Sequence, residues 1–337
     1  MFTSPRHRLF PGVPMSEVRT HALNPLAVLA ATVWLVAALL SGCATHAPSA
    51  TDPGVASDMA IAGQLYAEKR YREALPLYDR ALAKDPKSAK ALLGRAVVLY
   101  KLGRYEDSIK TLNVLLSQDK THTAGYYNRG LAKARLEKYR EAAADFEITL
   151  ALKPDFAQAE NNLGLVYFSM DETDNALTHF DRAAAFMGDA PFEPLFNKAA
   201  VYQARREYEK ALPIYDYLVT VRPGDANSLN NRGYIRLMRG EDAEAVADFS
   251  RALAVTEDKE IFFNRAIALG RLGRTQEAVA DYRRAVAIDP AFVKGWKNLG
   301  LLRLRLEDAA GCEDLARACE LGSCQAIEDC RRLGTCP

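Results

Sequence analysis

Cysteine is missing from Ala44 to Gly311, histidine occurs five times in 337 residues, and neither sign of charge prevails. Each shortage excludes something. His7, His21, His46, His122 and His179 form no ligand set, and there is no H-E-x-x-H and no C-x-x-C, so a metal centre lacks its donors. No phosphate-cradling glycine loop and no G-x-S-x-G occurs, which leaves catalysis without an obvious seat. Neither an enzyme nor a cofactor is expected. With 44 basic against 43 acidic residues, nothing draws the chain to nucleic acid. The apolar run Leu26 to Leu40 falls short of the ~20 residues of a membrane-spanning helix.

That run has a setting of its own. Arg6, Arg8 and Arg19 precede it, and the small residues Ser41 and Gly42 lead to Cys43, the layout of a secretory signal. Leu40-Ser41-Gly42-Cys43 resembles the lipobox of bacterial lipoproteins. The resemblance implies removal of residues 1–42, diacylation of Cys43 and stable attachment to a membrane through the lipid. Ala44 in place of Asp after the cysteine is similar to sorting to the outer membrane, with the protein facing the periplasm. An uncleaved signal anchor is the alternative, and Met15 is a second candidate start; the chain is exported in either case. Residues 43–54, rich in Ala, Pro, Ser and Thr, read as a flexible tether.

Beyond the tether one phrase recurs: Tyr71-Arg-Glu-Ala74, Tyr105-Glu-Asp-Ser108, Tyr139-Arg-Glu-Ala142, Thr173-Asp-Asn-Ala176, Tyr208-Glu-Lys-Ala211, Ala243-Glu-Ala245 and Thr275-Gln-Glu-Ala278, advancing by 33 to 35 residues. Four residues after its last member stands a large side chain (Tyr78, Leu112, Phe146, Phe180, Tyr215, Phe249, Tyr282), and in most units a small residue follows three further on. Spacings of four and three make one helical stripe, on which small residues admit a neighbouring helix. A preceding helix carries its own small residue twelve positions earlier, at Ala62, Ala96, Gly130, Gly164, Ala199, Gly233, Ala266 and Gly300. Three residues downstream an apolar partner is usual; Lys133, Arg236 and Arg303 depart from the pattern. Pro86, Pro154, Pro223 and Pro290 close units.

This pattern resembles the tetratricopeptide repeat over about residues 55–322, in eight units starting near 55, 89, 123, 157, 192, 226, 259 and 293. The resemblance implies an all-α fold, a right-handed α-solenoid superhelix of helix-turn-helix pairs with a concave inner wall that binds a protein or an extended peptide. The sixth position of successive units holds Asn128, Asn162, Asn197, Asn231, Asn264 and Asn298, a row similar to the asparagine ladder with which such superhelices grip a peptide backbone. Tyr127, Phe196 and Phe263 at the fifth position, Tyr234 at the ninth, and Tyr100 and Phe168 at the twelfth are expected either to cover ligand side chains or to pack. Arg271, Lys294, Lys297 and Arg305 make the C-terminal end of that wall basic. The family's carboxylate clamp is not expected: Asn264 and Lys294 fit it, but Asn230, Tyr234 and Asn298 stand where Lys, Asn and Arg are wanted.

Cys312, Cys319, Cys324, Cys330 and Cys336 crowd the end of the chain. In an exported protein they read as disulfide candidates in a cap over residues 323–337, sealing the last repeat against a short helix near Gln325 to Leu333, with one cysteine left over. Connectivity and oligomeric state stay open. Two functions are in view. One is an adaptor that takes a partner segment in its inner wall during assembly of an envelope complex. The other is a structural subunit held through its convex side, with nothing in the groove.

Overall fold

The computed structural model describes residues 53–188 and 191–337, and every described element is helical. The signal segment, Cys43 and the tether up to residue 52 lie outside the described residues. Eight helix pairs follow one another: α1 (Pro53–Ala67) and α2 (Tyr71–Lys84), α3 (Ala89–Lys101) and α4 (Tyr105–Gln118), α5 (Thr123–Arg135) and α6 (Tyr139–Leu152), α7 (Ala157–Ser169) and α8 (Thr173–Met187), α9 (Phe192–Ala204) and α10 (Tyr208–Val221), α11 (Ala226–Arg239) and α12 (Asp242–Leu253), α13 (Lys259–Arg271) and α14 (Thr275–Ile288), α15 (Val293–Arg305) and α16 (Gly311–Glu320). A short α17 (Gln325–Arg332) closes the chain. Pro53 and Gly54, the last two residues of the expected tether, are the first of α1.

The starts and stops follow local chemistry. Ser88, Asp225 and Asp258 accept backbone N–H groups at the N-termini of α3, α11 and α13, and the His122 ring does so for α5. Every first helix of a pair ends in the same way. Lys69, Gly103, Glu137, Asp171, Arg206, Gly240, Gly273 and Glu307 all have positive φ, between 59° and 79°. The next residue's N–H then reaches back five places, as Arg104 N to Leu99 O and Arg274 N to Leu269 O, both 2.9 Å. The carbonyls left over at the helix end are thereby satisfied, and the chain turns sharply into the second helix.

The division of contacts falls within α9, giving two compact units, 53–201 and 202–337. Within each, a helix packs on its neighbours in sequence, and first helices also touch across pairs, as α5 does α7 and α11 does α13. The small residue of the first helix meets the large one of the second, as the spacing implies. A Cβ on Gly130, Gly164 or Gly233 would sit 2.9, 2.7 or 2.9 Å from the ring of Phe146, Phe180 or Phe249, all buried. In the last pair two glycines meet, and a Cβ on Gly311 would lie 2.5 Å from the Gly300 carbonyl oxygen.

Two disulfides tie the end of the chain, Cys312 to Cys336 and Cys319 to Cys324, and Cys330 is the odd thiol. The cysteines pack around Leu315 and Ile327, so α17 lies on α16 as a cap.

Candidate interaction faces

Four of the six sixth-position asparagines are buried against other residues of the fold rather than open on a wall. Asn162 is buried and donates through Nδ2 to the Tyr127 hydroxyl at 2.9 Å, one pair back. Asn197 is buried and donates to Asn161 Oδ1 at 2.9 Å, and buried Asn231 donates to the Tyr215 hydroxyl at 3.1 Å. Asn264 is buried as well, and neither atom of its amide meets a hydrogen-bond partner among the described residues. Half-buried Asn128 donates to Ala124 O of its own helix at 2.8 Å, and half-buried Asn298 bonds the Tyr282 hydroxyl. For the four buried asparagines the expectation of an amide open to a peptide backbone is therefore corrected; Asn128 and Asn298 stay half-buried. The Asn162 and Asn197 amides join first helices of successive pairs, and the Asn231 and Asn298 amides join a first helix to the second helix before it.

Half of the aromatics named with them are core. Tyr127 packs on Phe146 and Phe156 at ring separations of 5.9 and 4.8 Å, and Phe263 on Tyr282 and Phe292 at 5.6 and 5.3 Å. Tyr234 is buried edge-on against Tyr208. Phe196 and Phe168 are half-buried, and half-buried Tyr100 accepts from Arg135 Nε at 2.9 Å. Burial holds the Tyr215 and Tyr282 hydroxyls far above their ordinary range. Of the basic residues, Arg271 donates to Leu237 O at 2.8 Å, Lys294 and Lys297 are half-buried, and Arg305 is exposed.

A charged ladder accompanies the amides, and the sequence reading missed it. Arg232 on α11 donates to buried Asp248 of its own pair at 2.6 Å and to Asp216 of the preceding second helix at 2.9 Å. Arg129 likewise joins buried Asp145 at 2.7 Å to Asn113 at 2.7 Å, and Arg265 joins Asp281 at 2.7 Å to Ser250 at 3.0 Å. Arg95 reaches Asp79 and Thr111 in the same geometry. The residues that broke the apolar pattern belong here too: Lys133 is a second cation on Asp145 at 2.9 Å, Arg236 on Asp248 at 2.8 Å, and Arg303 bonds Asp308 and Asp314. Each supplies charge to a carboxylate that burial would otherwise leave undercompensated. The visible signal is Asp immediately before the aromatic, as in Asp145-Phe146 and Asp248-Phe249, with Arg sixteen residues earlier.

The ladder does not run through every pair: its two places hold Ile61 and Leu77 in α1/α2 and Lys198 and Ile214 in α9/α10. In α7/α8 Leu163 replaces the arginine and His179 the aspartate, and His179 Nδ1 lies 2.6 Å from Glu160 Oε2 with its ring stacked on Tyr167. Burial, with Glu147 accepting its hydroxyl at 2.9 Å, leaves Tyr167 pushed up to about 12. No group of three or more metal-ligating side chains comes together among the described residues.

Exposed large apolar side chains are distributed unevenly. Val114 on α4, Ile148 and Leu152 on α6 and Phe186 on α8 are open to solvent in the first unit, and Tyr217 and Val221 on α10, Val255 just beyond α12 and Ile288 on α14 in the second. First helices expose only Ile61 on α1 and Leu301 on α15, besides Leu272 and Leu306 just past their ends, among the described residues.

Models of the tetratricopeptide repeat match residues 65–134, 127–194, 196–259 and 259–292. The chain belongs to the tetratricopeptide repeat family. A curated relative, the TPR repeat-containing thioredoxin TTL4 of Arabidopsis thaliana, is 32% identical over 112 residues, 33% of this chain. The match spans only 16% of that relative's length. Among solved structures, a tetratricopeptide repeat protein from Parabacteroides merdae ATCC 43184 superposes with a TM-score of 0.58 at 17% identity, covering 74% of this chain and 99% of that one. The APC/C hetero-tetramer Cut9-Hcn1 gives 0.55 at 16% identity, covering 82% and 55%. At such identities the likeness is one of fold alone. Tetratricopeptide repeats build surfaces for other proteins, and the repeats of this chain form a protein-interaction scaffold.

Proposed function

We propose that the protein is an exported, lipid-anchored scaffold that holds another protein of the bacterial cell envelope, attached through Cys43 to the outer membrane and facing the periplasm. Leu40-Ser41-Gly42-Cys43 supports the anchor, and two disulfides in the cap suit an oxidising compartment. The observation that carries the mode of binding is the set of exposed apolar side chains on second helices. Their recurrence on second helices, against few on first helices, supports a partner on the second-helix side. It favours the reading of a structural subunit held through its outer face, Ile148, Leu152 and Phe186 being its centre in the first unit. A second reading, capture on the first-helix side, is favoured by α15, where that side is open.

The test is affinity purification from native envelopes with mass spectrometry, comparing the unchanged chain with Ile148→Asp plus Phe186→Asp. Loss of a specific co-purifying protein, with the thermal midpoint retained, supports outer-face binding. An unchanged partner set contradicts it, and loss on changing Leu301 instead supports the second reading. Globomycin sensitivity of processing, together with mass spectrometry of the Cys43 peptide, tests the anchor.

A further inference from the structure

The last turns of α1, α3 and α5 bring one sign of charge to one end of the first unit. Lys101 ends α3, Arg135 ends α5, and Lys69 is the turn residue just past α1. These first helices touch across pairs, α1 on α3 and α3 on α5. Arg135 is held in place: its Nε donates to the Tyr100 hydroxyl at 2.9 Å, and its guanidinium lies 5.9 Å from the centre of that ring. Tyr66 stands to Lys101 as Tyr100 stands to Arg135, 35 residues earlier. Each of the two tyrosines also packs on the tyrosine that opens the following helix, Tyr71 or Tyr105, at 5.4 Å.

The hydrogen bond is not repeated in the earlier pair. The Tyr66 hydroxyl is buried and meets no partner among the described residues. Half-buried Lys101 makes no hydrogen bond or ion pair among them either, and the charges that act on it are the cations Arg135 and Lys69. Burial first, and then these two cations, hold Lys101 below the ordinary lysine range. The end of α3 does not need the ammonium, because the N–H groups of Leu102, Gly103 and Arg104 already take the carbonyls of Val98, Tyr100 and Leu99. Glu68, next to Lys69, is bonded to Gln64 and Arg70. Two donors at one place in the register therefore lack an acceptor, with further cations beside them. An anion completes such a set.

We propose that Lys101 and Lys69 form a carboxylate-binding site, which takes an acidic segment of a partner protein at the ends of α1 and α3. The inference rests on reading the chain as a protein-binding scaffold and names the chemistry of one segment it holds. Arg135 keeps its bond to Tyr100 and adds only its positive field. Half-buried Lys101 contributes most of the attraction, being less screened by water than exposed Lys69. A carboxylate fits better than a phosphate dianion. The helix ends here are C-termini, which offer no free N–H groups and whose partial negative charge opposes two charges more than one.

The experiment measures fluorescence anisotropy of two labelled peptides on the full chain, one alternating Glu with Gly and one alternating Gln with Gly. The Glu peptide binds, more weakly as salt rises, and the Gln peptide does not. Lys101→Met weakens binding by about tenfold or more and Lys69→Gln by about threefold, whereas Lys87→Met, at the opposite end of α3, leaves it unchanged. Lys101→Met does not lower the circular-dichroism melting point, since it takes a cation away from two others. Equal binding of the two peptides, binding unaffected by Lys101→Met, or an equal loss in Lys87→Met overturns the proposal. So does a lowered melting point in Lys101→Met, which would give the lysine a partner inside the fold. Displacement of the Glu peptide by inorganic phosphate, where chloride at equal ionic strength has no effect, also overturns it and names phosphate as the ligand. If Lys101→Met retains the native envelope partner in full, this site fails and the scaffold reading stands; if the unchanged chain captures no envelope protein, the scaffold reading fails with it.

Discussion

The side-chain amide of Asn162 donates to the hydroxyl of Tyr127, 35 residues earlier, across the seam between α7 and α5. In the second unit Asn231 finds a tyrosine of a different helix type, donating to Tyr215 on the preceding second helix, α10, 16 residues earlier. Both tyrosines are buried and have one polar atom to satisfy, and the amide is the partner that makes their burial tolerable. A residue type that could have gripped a guest instead fixes the register of one pair on the next.

The charged ladder sets the second expectation. Asp248 is buried beneath Arg232 and Arg236. Asp248→Ala removes the anion from under two cations, and the stability lost is about 3 kcal/mol, toward the low end for a broken buried pair because both arginines keep some contact with water. Asp107→Ala, which breaks an exposed pair with Arg104, costs under about 0.5 kcal/mol. Urea titration of the two variants checks the contrast. Equal effects would remove the ladder from the account.

The turns between paired helices make a different prediction. Glu137 and Arg206 hold φ of 59°, where Gly240 and Gly273 stand in other pairs. Relief of the left-handed strain outweighs the freedom glycine adds to the unfolded chain, so Glu137→Gly gains about 0.5 kcal/mol. Gly273→Ala loses about 1 kcal/mol by the same reasoning. Calorimetry should show midpoints moving in opposite directions.

How much of this was open to reading from the sequence follows from what repeats. Alanine or glycine against an aromatic, at fixed spacing, announced the helix pairs and their contacts, since Gly164 and Phe180 admit only close approach. The position of Asn162 in its helix was equally plain. Its surroundings were not, because whether a sixth-position side chain meets solvent depends on how tightly successive first helices pack. Lys133 and Arg236 looked like lapses in an apolar pattern until Asp145 and Asp248 appeared beside them. Exposure of Phe186 and Leu301 is likewise a property of what does or does not cover them.

The cap gives a redox and a pH expectation. The Cys312–Cys336 link spans 24 residues, and removing it by paired serine substitution costs about 3 kcal/mol on the loop-entropy scale. Alkylation should find Cys330 as the free thiol of the cap. Burial, and then the Asp329 carboxylate, hold that thiol above its ordinary value. Its thiolate fraction at neutral pH is therefore below that of an exposed cysteine, and its alkylation rate keeps rising at a pH where an exposed cysteine has levelled. Asp329→Asn moves the rise toward lower pH. A Cys330 rate equal to that of a free peptide cysteine would contradict this environment.

The most direct measurement is a double-mutant cycle in urea on Asn162→Ala and Tyr127→Phe, with envelope pull-down of each variant alongside. Each single change should cost about 1 to 2 kcal/mol, the pair should cost no more than slightly above one of them, and the partner should be retained. Additive costs near zero, joined to loss of the partner from Asn162→Ala alone, would return the amide to a ligand and contradict the account.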